Sequence, residues 1–463
     1  MKKNKISVPQ GVGVSAMCLC IMVFMAILIL SSGRCMADDS VLTLDDAISE
    51  AIANNTLIRE AMAKQQAAME KEKSAAADLF PKLSAEYDYT HFKDKPYILF
   101  DLPPSGLWKF DTWKQDRFSW NLAITQPVFT GFALTTRRKI ASLGIKTAGM
   151  EKDQAIMDVT RNVKVGYFKI LLAKRKLEVA EEAVKQLEAH VADARHFYEQ
   201  ELIPKNDLLK SQVALAHARQ NRVAAASSLD VAVSALNTIL RRDISEKTEL
   251  TDVSPKRPAC FDLSDLFKQA MTHRPELKEL NIALSQAEFG IRMAKSAYYP
   301  KIYLFGRYER LGDNIRASNN DFGNNHNTLV GLQAEWQFFE WGKTKADVNK
   351  AKYDKKALAE KIEGIRDSIR LEVKSAFRAL EVADENIRTA EKALAQAKEN
   401  FRITNLQYRQ QITTSTEVLD ARTFLTQAEM NYYGALYGYM IAMADLERAV
   451  GVRNLQQQTG KIH

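Results

Sequence analysis

The sequence predicts an α+β membrane protein in which four β-strands per chain contribute to a trimeric 12-stranded transmembrane barrel, continued by a 12-helix tube of long coiled-coil helices. Three observations predict it: two pairs of bilayer-length alternating segments, long heptad-patterned helices, and a duplication of the whole pattern.

Residues 1–37 read as a secretory signal. Lys2, Lys3 and Lys5 precede an apolar run from Val14 to Leu30, and Cys35-Met36-Ala37 supplies small residues for cleavage after Ala37. The alternative is an uncleaved N-terminal anchor. Arg34 before Cys35 argues against a lipid anchor. Cys18, Cys20 and Cys35 lie in the signal, so the mature chain keeps Cys260 alone and forms no internal disulfide. The formal charge of +8 falls to +4 once Lys2, Lys3, Lys5 and Arg34 are removed (8 − 4), which is too little to argue for nucleic acid. No later stretch reads as a transmembrane helix, so any return to a membrane must use strands.

The chain repeats itself. Phe80-Pro81-Lys82-Leu83 matches Tyr299-Pro300-Lys301-Ile302 at an offset of 219, and Tyr198, Leu209 and Leu236 match Tyr408, Leu419 and Leu446 at 210. Each copy reads helix, strand, loop, strand, long helix, turn, helix. The copies span 38–250 and 251–452, with Thr251 to Pro258 as the join and 453–463 as a polar tail.

Alternation marks the strands. Leu83, Ala85, Tyr87 and Tyr89 oppose Ser84, Glu86, Asp88 and Thr90; Phe118, Trp120, Leu122 and Ile124 oppose Arg117, Ser119, Asn121 and Thr125. The second copy offers Ile302, Leu304 and Tyr308, then Val330, Leu332, Ala334 and Trp336. Period two gives one apolar and one polar face, and about ten residues suffice for a tilted strand to cross a bilayer. Phe118, Trp120, Leu122, Ile124, Val330, Leu332 and Trp336 are the expected lipid-facing set. Residues 93–116 and 311–327 read as polar loops. A soluble β-layer with one face in a core fits the alternation too, but no further strands are present to form a second sheet. Four strands cannot close a barrel and open edges are not tolerated in lipid, so three copies must pool twelve.

Beyond Gly131 the period becomes seven. Ile156, Val163, Ile170, Leu177, Val184, Val191 and Tyr198 recur, with Val159, Gly166, Ala173, Ala180, Leu187 and Ala194 three positions on. Val373 to Tyr408 and Val418 to Leu446 repeat the device with alanines alongside, which predicts left-handed supercoiling with close helix approach. A helix of roughly 70 residues, 131–200, is about 105 Å long. The helices 45–80 and 205–241, stacked end to end, match it. Each chain then supplies four helical columns, two continuous and two spliced. Pro81 and Pro300 fall at helix-to-strand changes and Pro127 near a strand-to-helix change.

No catalytic constellation is present. The seven histidines are scattered, with His190 and His196 read as helix-surface residues; no metal or cofactor set is found.

Phe80-Pro81-Lys82-Leu83, Gln126-Pro127-Val128-Phe129-Thr130-Gly131, and the segment from Tyr408 to Leu419-Asp420-Ala421, in duplicated order, resemble the TolC-type outer-membrane efflux proteins over essentially the whole mature chain. The resemblance implies a homotrimeric, non-enzymatic conduit in the outer membrane that extends into the periplasm. It also implies a periplasmic membrane-fusion adaptor and an inner-membrane transporter as partners. The exit duct of one-step protein secretion is an alternative of the same architecture, and a periplasmic coiled-coil adaptor or scaffold is one of another class. The family's tip closes through tyrosine, acidic and basic groups. The matching positions are Asp207, Tyr408, Glu417 and Asp420, with Glu201 and Gln411 where glycine is common, Thr413 where a base is common, and Arg409 or Lys205 as substitutes.

Overall fold

The computed structural model describes residues 41–101, 103–253 and 261–455. Residues 1–37, expected as a signal, Cys260 and residues 456–463 of the tail lie outside them. Elements follow the order α1 (Leu44–Asn54), α2 (Thr56–Ala77), β1 (Lys82–His91), β2 (Tyr97–Asp101), β3 (Leu107–Asp111), β4 (Asp116–Thr130), α3 (Ala133–Glu199), α4 (Lys205–Leu240), α5 (Leu263–His273), α6 (Pro275–Lys295), β5 (Lys301–Gly312), β6 (His326–Glu335), α7 (Lys343–Arg409) and α8 (Ser415–Val450).

The helices pack as columns. The long α3 touches α2 and α6 over its upper half and α4 and α8 over its lower half, and α7 packs on α6 and α8. Two continuous columns therefore alternate with two spliced ones, α2 over α4 and α6 over α8. The heptad residues supply the contacts. Val163, Ile170 and Val184 of α3, Val373 and Ile387 of α7, and Val418, Leu425 and Leu446 of α8 are all buried. Alanines 173, 180 and 194 occupy the small positions and are buried. Tyr198 ends the pattern exposed.

The first helix of each copy is broken, where a single run was expected over 45–80. In copy one Asn55 accepts from the Leu57 amide and its Nδ2 donates to the Ile239 carbonyl at 2.9 Å. It caps the start of α2 and the end of α4 at once. In copy two, Arg274 occupies the position 219 residues on. Its guanidinium donates to the carbonyls of Arg448 and Ala449, ending α8, and grips both Glu372 oxygens on α7. The break is thus the clasp that splices two helices into a column.

A window of α4 is long and apolar enough to cross a membrane by length and composition, contrary to the expectation. Its apolar residues serve two flanks instead. Leu236 and Leu240 are buried in the protein, while Leu209, Val213, Val223 and Val231 stand exposed on the side away from α3. The opposite flank of the molecule, on α7, exposes Leu371, Val382, Ile403 and Leu406.

The main sheet runs β1-β4-β5-β6, all antiparallel, leaving β1 and β6 as edges. Pro127 lies inside β4, not beyond it, at a bulge where the register with β5 shifts between Pro127 and Phe129. Pairing with β1 has already stopped at Thr125, so a proline is tolerated on the free edge. The segment expected as a polar loop at 93–116 instead contains the hairpin β2–β3. Strand β6 ends at Glu335, one residue short of Trp336.

Candidate functional site: a bilayer face and a helical tip

Register gathers the expected lipid-facing residues. Leu83, Ala85, Tyr87 and Tyr89 sit opposite Ile124, Leu122, Trp120 and Phe118. Ile124 and Leu122 sit opposite Gly306 and Tyr308, and Leu304 and Gly306 opposite Leu332 and Val330. All share one face. Leu83, Leu122, Ile124, Val330 and Leu332 are exposed on it. Trp336, just past the strand, remains exposed and donates its indole N–H to the Tyr298 carbonyl at 3.2 Å. Aromatic rows border the aliphatic zone. Tyr87, Tyr89, Phe118 and Trp120 pack together at the loop end. Phe129, Phe132 and Tyr299 pack at the helix end, and past β6 Phe338 packs on Trp336 and Phe339 on Trp341. From Trp120 to Phe129 is nine residues, about 30 Å along a strand, or roughly 23 Å along the normal at a 40° tilt; the apolar band of such barrels is about 25 Å.

The other face carries polar pairs alongside Tyr303, Phe305 and Leu329. The Ser119 hydroxyl donates to Asp88, and Arg307 pairs with Glu309 at 3.1 Å.

Strand passes to long helix through two successive left-handed residues in both copies: Gly131 and Phe132 (φ 60° and 67°), and Trp341 and Gly342 (φ 49° and 82°). One glycine serves each turn, in opposite order. The other position presents an exposed aromatic, Phe132 or Trp341, at the helix-end row.

At the far end, α3 turns into α4 and α7 into α8. Glu201 and Gln411 both adopt φ 61°, the left-handed conformation that glycine takes without strain. Between the turns the structure assembles a buried polar knot with one side chain from each of four helices. His190 of α3 contacts Ser415 of α8 through Nε2 at 2.8 Å, and Ser415 contacts Ser211 of α4 at 2.9 Å. The Ser211 hydroxyl also bonds the Asp207 carbonyl at 2.9 Å. Tyr408 of α7 covers the group, its ring 4.8 Å from His190 and 5.6 Å from Phe197. His190 is 5% and Tyr408 2% exposed. Burial pushes the His190 imidazole down to about 4, against a small opposing pull from Asp193, and pushes the Tyr408 phenol up. His190 Nδ1 and the Tyr408 hydroxyl have no hydrogen-bond partner of normal geometry among the described residues.

The expected tip residues therefore separate. Tyr408 is sealed inside the hairpin pair. Asp207 joins the knot through its carbonyl, with Lys210 Nζ 3.9 Å from its carboxylate. Glu417 and Asp420 are exposed on the first turns of α8. Arg409 does supply a cross-hairpin ion pair, but to Asp193 at 3.3 Å, and an exposed pair of this kind contributes little. His190, expected on a surface, is the central residue. The signal for it was present: Ala183, His190 and Phe197 form a third seven-residue series beside the two noted. Arg422, one turn and more above, is also buried. It donates to Gln186 at 2.7 Å and sits over the Phe401 ring at 5.7 Å. Burial lowers its affinity for its proton and raises that of nearby Glu429. Among the described residues no group of side chains is arranged to hold a metal ion.

Comparison with known proteins agrees with this geometry. The family model described as "Outer membrane efflux protein" matches residues 47–240 and again 266–452. The chain is 23% identical over 421 residues to the outer membrane protein TolC of Escherichia coli, covering 88% of this chain and 82% of that one. It is 22% identical over 447 residues to the cation efflux system protein CusC of the same species, covering 89% and 87%. Among solved structures, the Campylobacter jejuni CmeC outer membrane channel superposes with a TM-score of 0.74 at 16% identity, over 90% of this chain and 88% of that one. CusC superposes at 0.72 and 19%, over 88% and 92%. With four columns, one four-stranded sheet and two matched copies, the chain belongs to the outer membrane efflux protein family and is an outer-membrane efflux channel protein.

Proposed function

We propose that three copies close into one duct, a 12-stranded barrel in the outer membrane continued by a 12-column helical tube in the periplasm. The duct would serve a tripartite efflux system as its exit, receiving small molecules from an inner-membrane transporter through a periplasmic adaptor, with no catalysis of its own. The observation that carries this reading is incompleteness. One chain leaves the edges β1 and β6 unpaired beside a lipid-type face. It also leaves apolar stripes on the outer flanks of α4 and α7. Both ends of the wall are unsatisfied, as segments of a closed ring are.

The tip closes the duct. The knot keeps the two hairpins of a chain together, while the exposed carboxylates of Glu417 and Asp420 on α8, and that of Asp207 in the first turn of α4, line the mouth. Acidic rings favour cations. Planar-bilayer recording of purified protein tests this. A small, cation-preferring conductance is expected, with the preference reduced severalfold when Asp207, Glu417 and Asp420 are replaced by alanine. An unchanged ion preference in that variant contradicts the acidic mouth; no conductance in any condition contradicts the duct.

A further inference from the structure

The hairpin β2–β3 forms its own two-stranded sheet, apart from the main one. Its register puts Ile98 opposite Phe110 and Phe100 opposite Trp108 on one face, wholly apolar. The other face pairs Tyr97 with Asp111, Leu99 with Lys109 and Asp101 with Leu107. The apolar side chains touch each other, with Phe100 5.7 Å and Trp108 6.4 Å from Phe110 between ring centroids. Yet each of the four stays 46–51% exposed. An aromatic face of this size in water calls for a partner.

The hairpin lies beyond the loop-end aromatic row in sequence. The row lies at Tyr87 and Trp120; β1 runs on to His91, and residues 92–96 carry the chain from there to Tyr97 at the start of β2. The base is fastened to the loop between β5 and β6. Trp113 packs on Phe322 at 5.8 Å, Lys114 pairs with Asp313 and with Asp321 (2.6 Å), and the Tyr87 hydroxyl donates to the Ile315 carbonyl at 2.9 Å.

A second copy is within reach. The hairpin grows from edge strand β1, which in a closed ring stands beside the next copy's β6. Twelve strands at 4.8 Å spacing and 40° tilt enclose a barrel about 24 Å across, so the axis is roughly 12 Å from the wall. Five paired residues extend about 17 Å. We propose that the apolar faces of three β2–β3 hairpins, one from each copy, pack against one another over the outer mouth and form an aromatic lid at the extracellular end. The lid rests on the three-copy reading above.

Cysteine cross-linking tests it. In a Cys260→Ser background, Ile98→Cys and Trp108→Cys place thiols on the apolar face and Lys109→Cys one on the other. The detergent-solubilised protein is treated with a short bismaleimide, and the Cys260→Ser parent is sedimented in parallel. Covalent dimers from more than half the chains are expected for Ile98→Cys and Trp108→Cys, and from fewer than a tenth for Lys109→Cys. Trimers in which both apolar-face variants stay unlinked overturn the lid and leave the duct standing. Equal linking of Lys109→Cys marks chance collision and also overturns the lid. A monomeric parent removes both readings.

Discussion

His190 is a titratable group placed where all four lower helices meet. Tyr408 and Arg409 face it from α7, Ser415 and Arg422 from α8, Ser211 from α4, and Asp193 from its own helix. In the fold it takes up a proton only near pH 4, against about 6.5 when unfolded. The neutral form is the one the fold prefers. Its contribution is therefore complete above pH 6.5 and is lost progressively as pH falls toward 4, by on the order of 3 kcal/mol. Amide exchange over 186–194 and 411–420, corrected for intrinsic rate, is expected to accelerate about fiftyfold between pH 7 and pH 4.5. His190→Leu is expected to flatten that dependence while lowering protection at pH 7. The same acceleration in the variant contradicts a role for this imidazole. Heptad reading found the a and d residues around His190 but assigned the histidine by its polarity to the surface. A third buried stripe exists only because α3 is packed by α4 on one side and α8 on the other, and that is a tertiary fact.

At the scale of elements, the strand-to-helix turns use the same backbone with glycine in swapped places. A Cβ on Gly131 would lie 2.4 Å from the Ser296 carbonyl oxygen, whereas one on Gly342 meets nothing within 4 Å. Gly131→Ala therefore adds a backbone clash to the left-handed strain and is expected to cost about 3 kcal/mol or more; Gly342→Ala carries the strain alone, about 1 kcal/mol. Thermal unfolding in detergent reads the difference, and equal costs contradict the crowding at Ser296. The long helices α3 and α7, the four main strands and the end-to-end splicing were legible because period seven, period two and length each constrain them separately. The break at Asn55 was not, because its cause is a hydrogen bond to Ile239, 184 residues away. The β2–β3 hairpin was hidden too. Pro103, Pro104 and Gly106 mark a turn, but Lys and Asp at both ends made the segment read as loop.

At the scale of the molecule, the two sheet faces are different solvents' surfaces. Leu332→Arg puts a charge on the exposed aliphatic zone and is expected to destabilise insertion by about 2–4 kcal/mol, with a corresponding fall in membrane-integrated protein. Gln333→Arg, one residue on and facing the polar side, is expected to be tolerated within about 1 kcal/mol. Outer-membrane yield after urea washing compares them, and equal loss contradicts the sidedness. The alternation that distinguishes these neighbours was readable directly. Which chain partners each edge was not, since the outer edges of β1 and β6 find no strand of their own chain among the described residues.

The central claim is that one chain is a third of a wall. Sedimentation of detergent-extracted protein, corrected for bound detergent, measures the number of copies directly. Three times the mature chain mass, with the protein remaining in the outer-membrane fraction until detergent is added, is the expected result. A stable monomer recovered from the periplasm without detergent contradicts it.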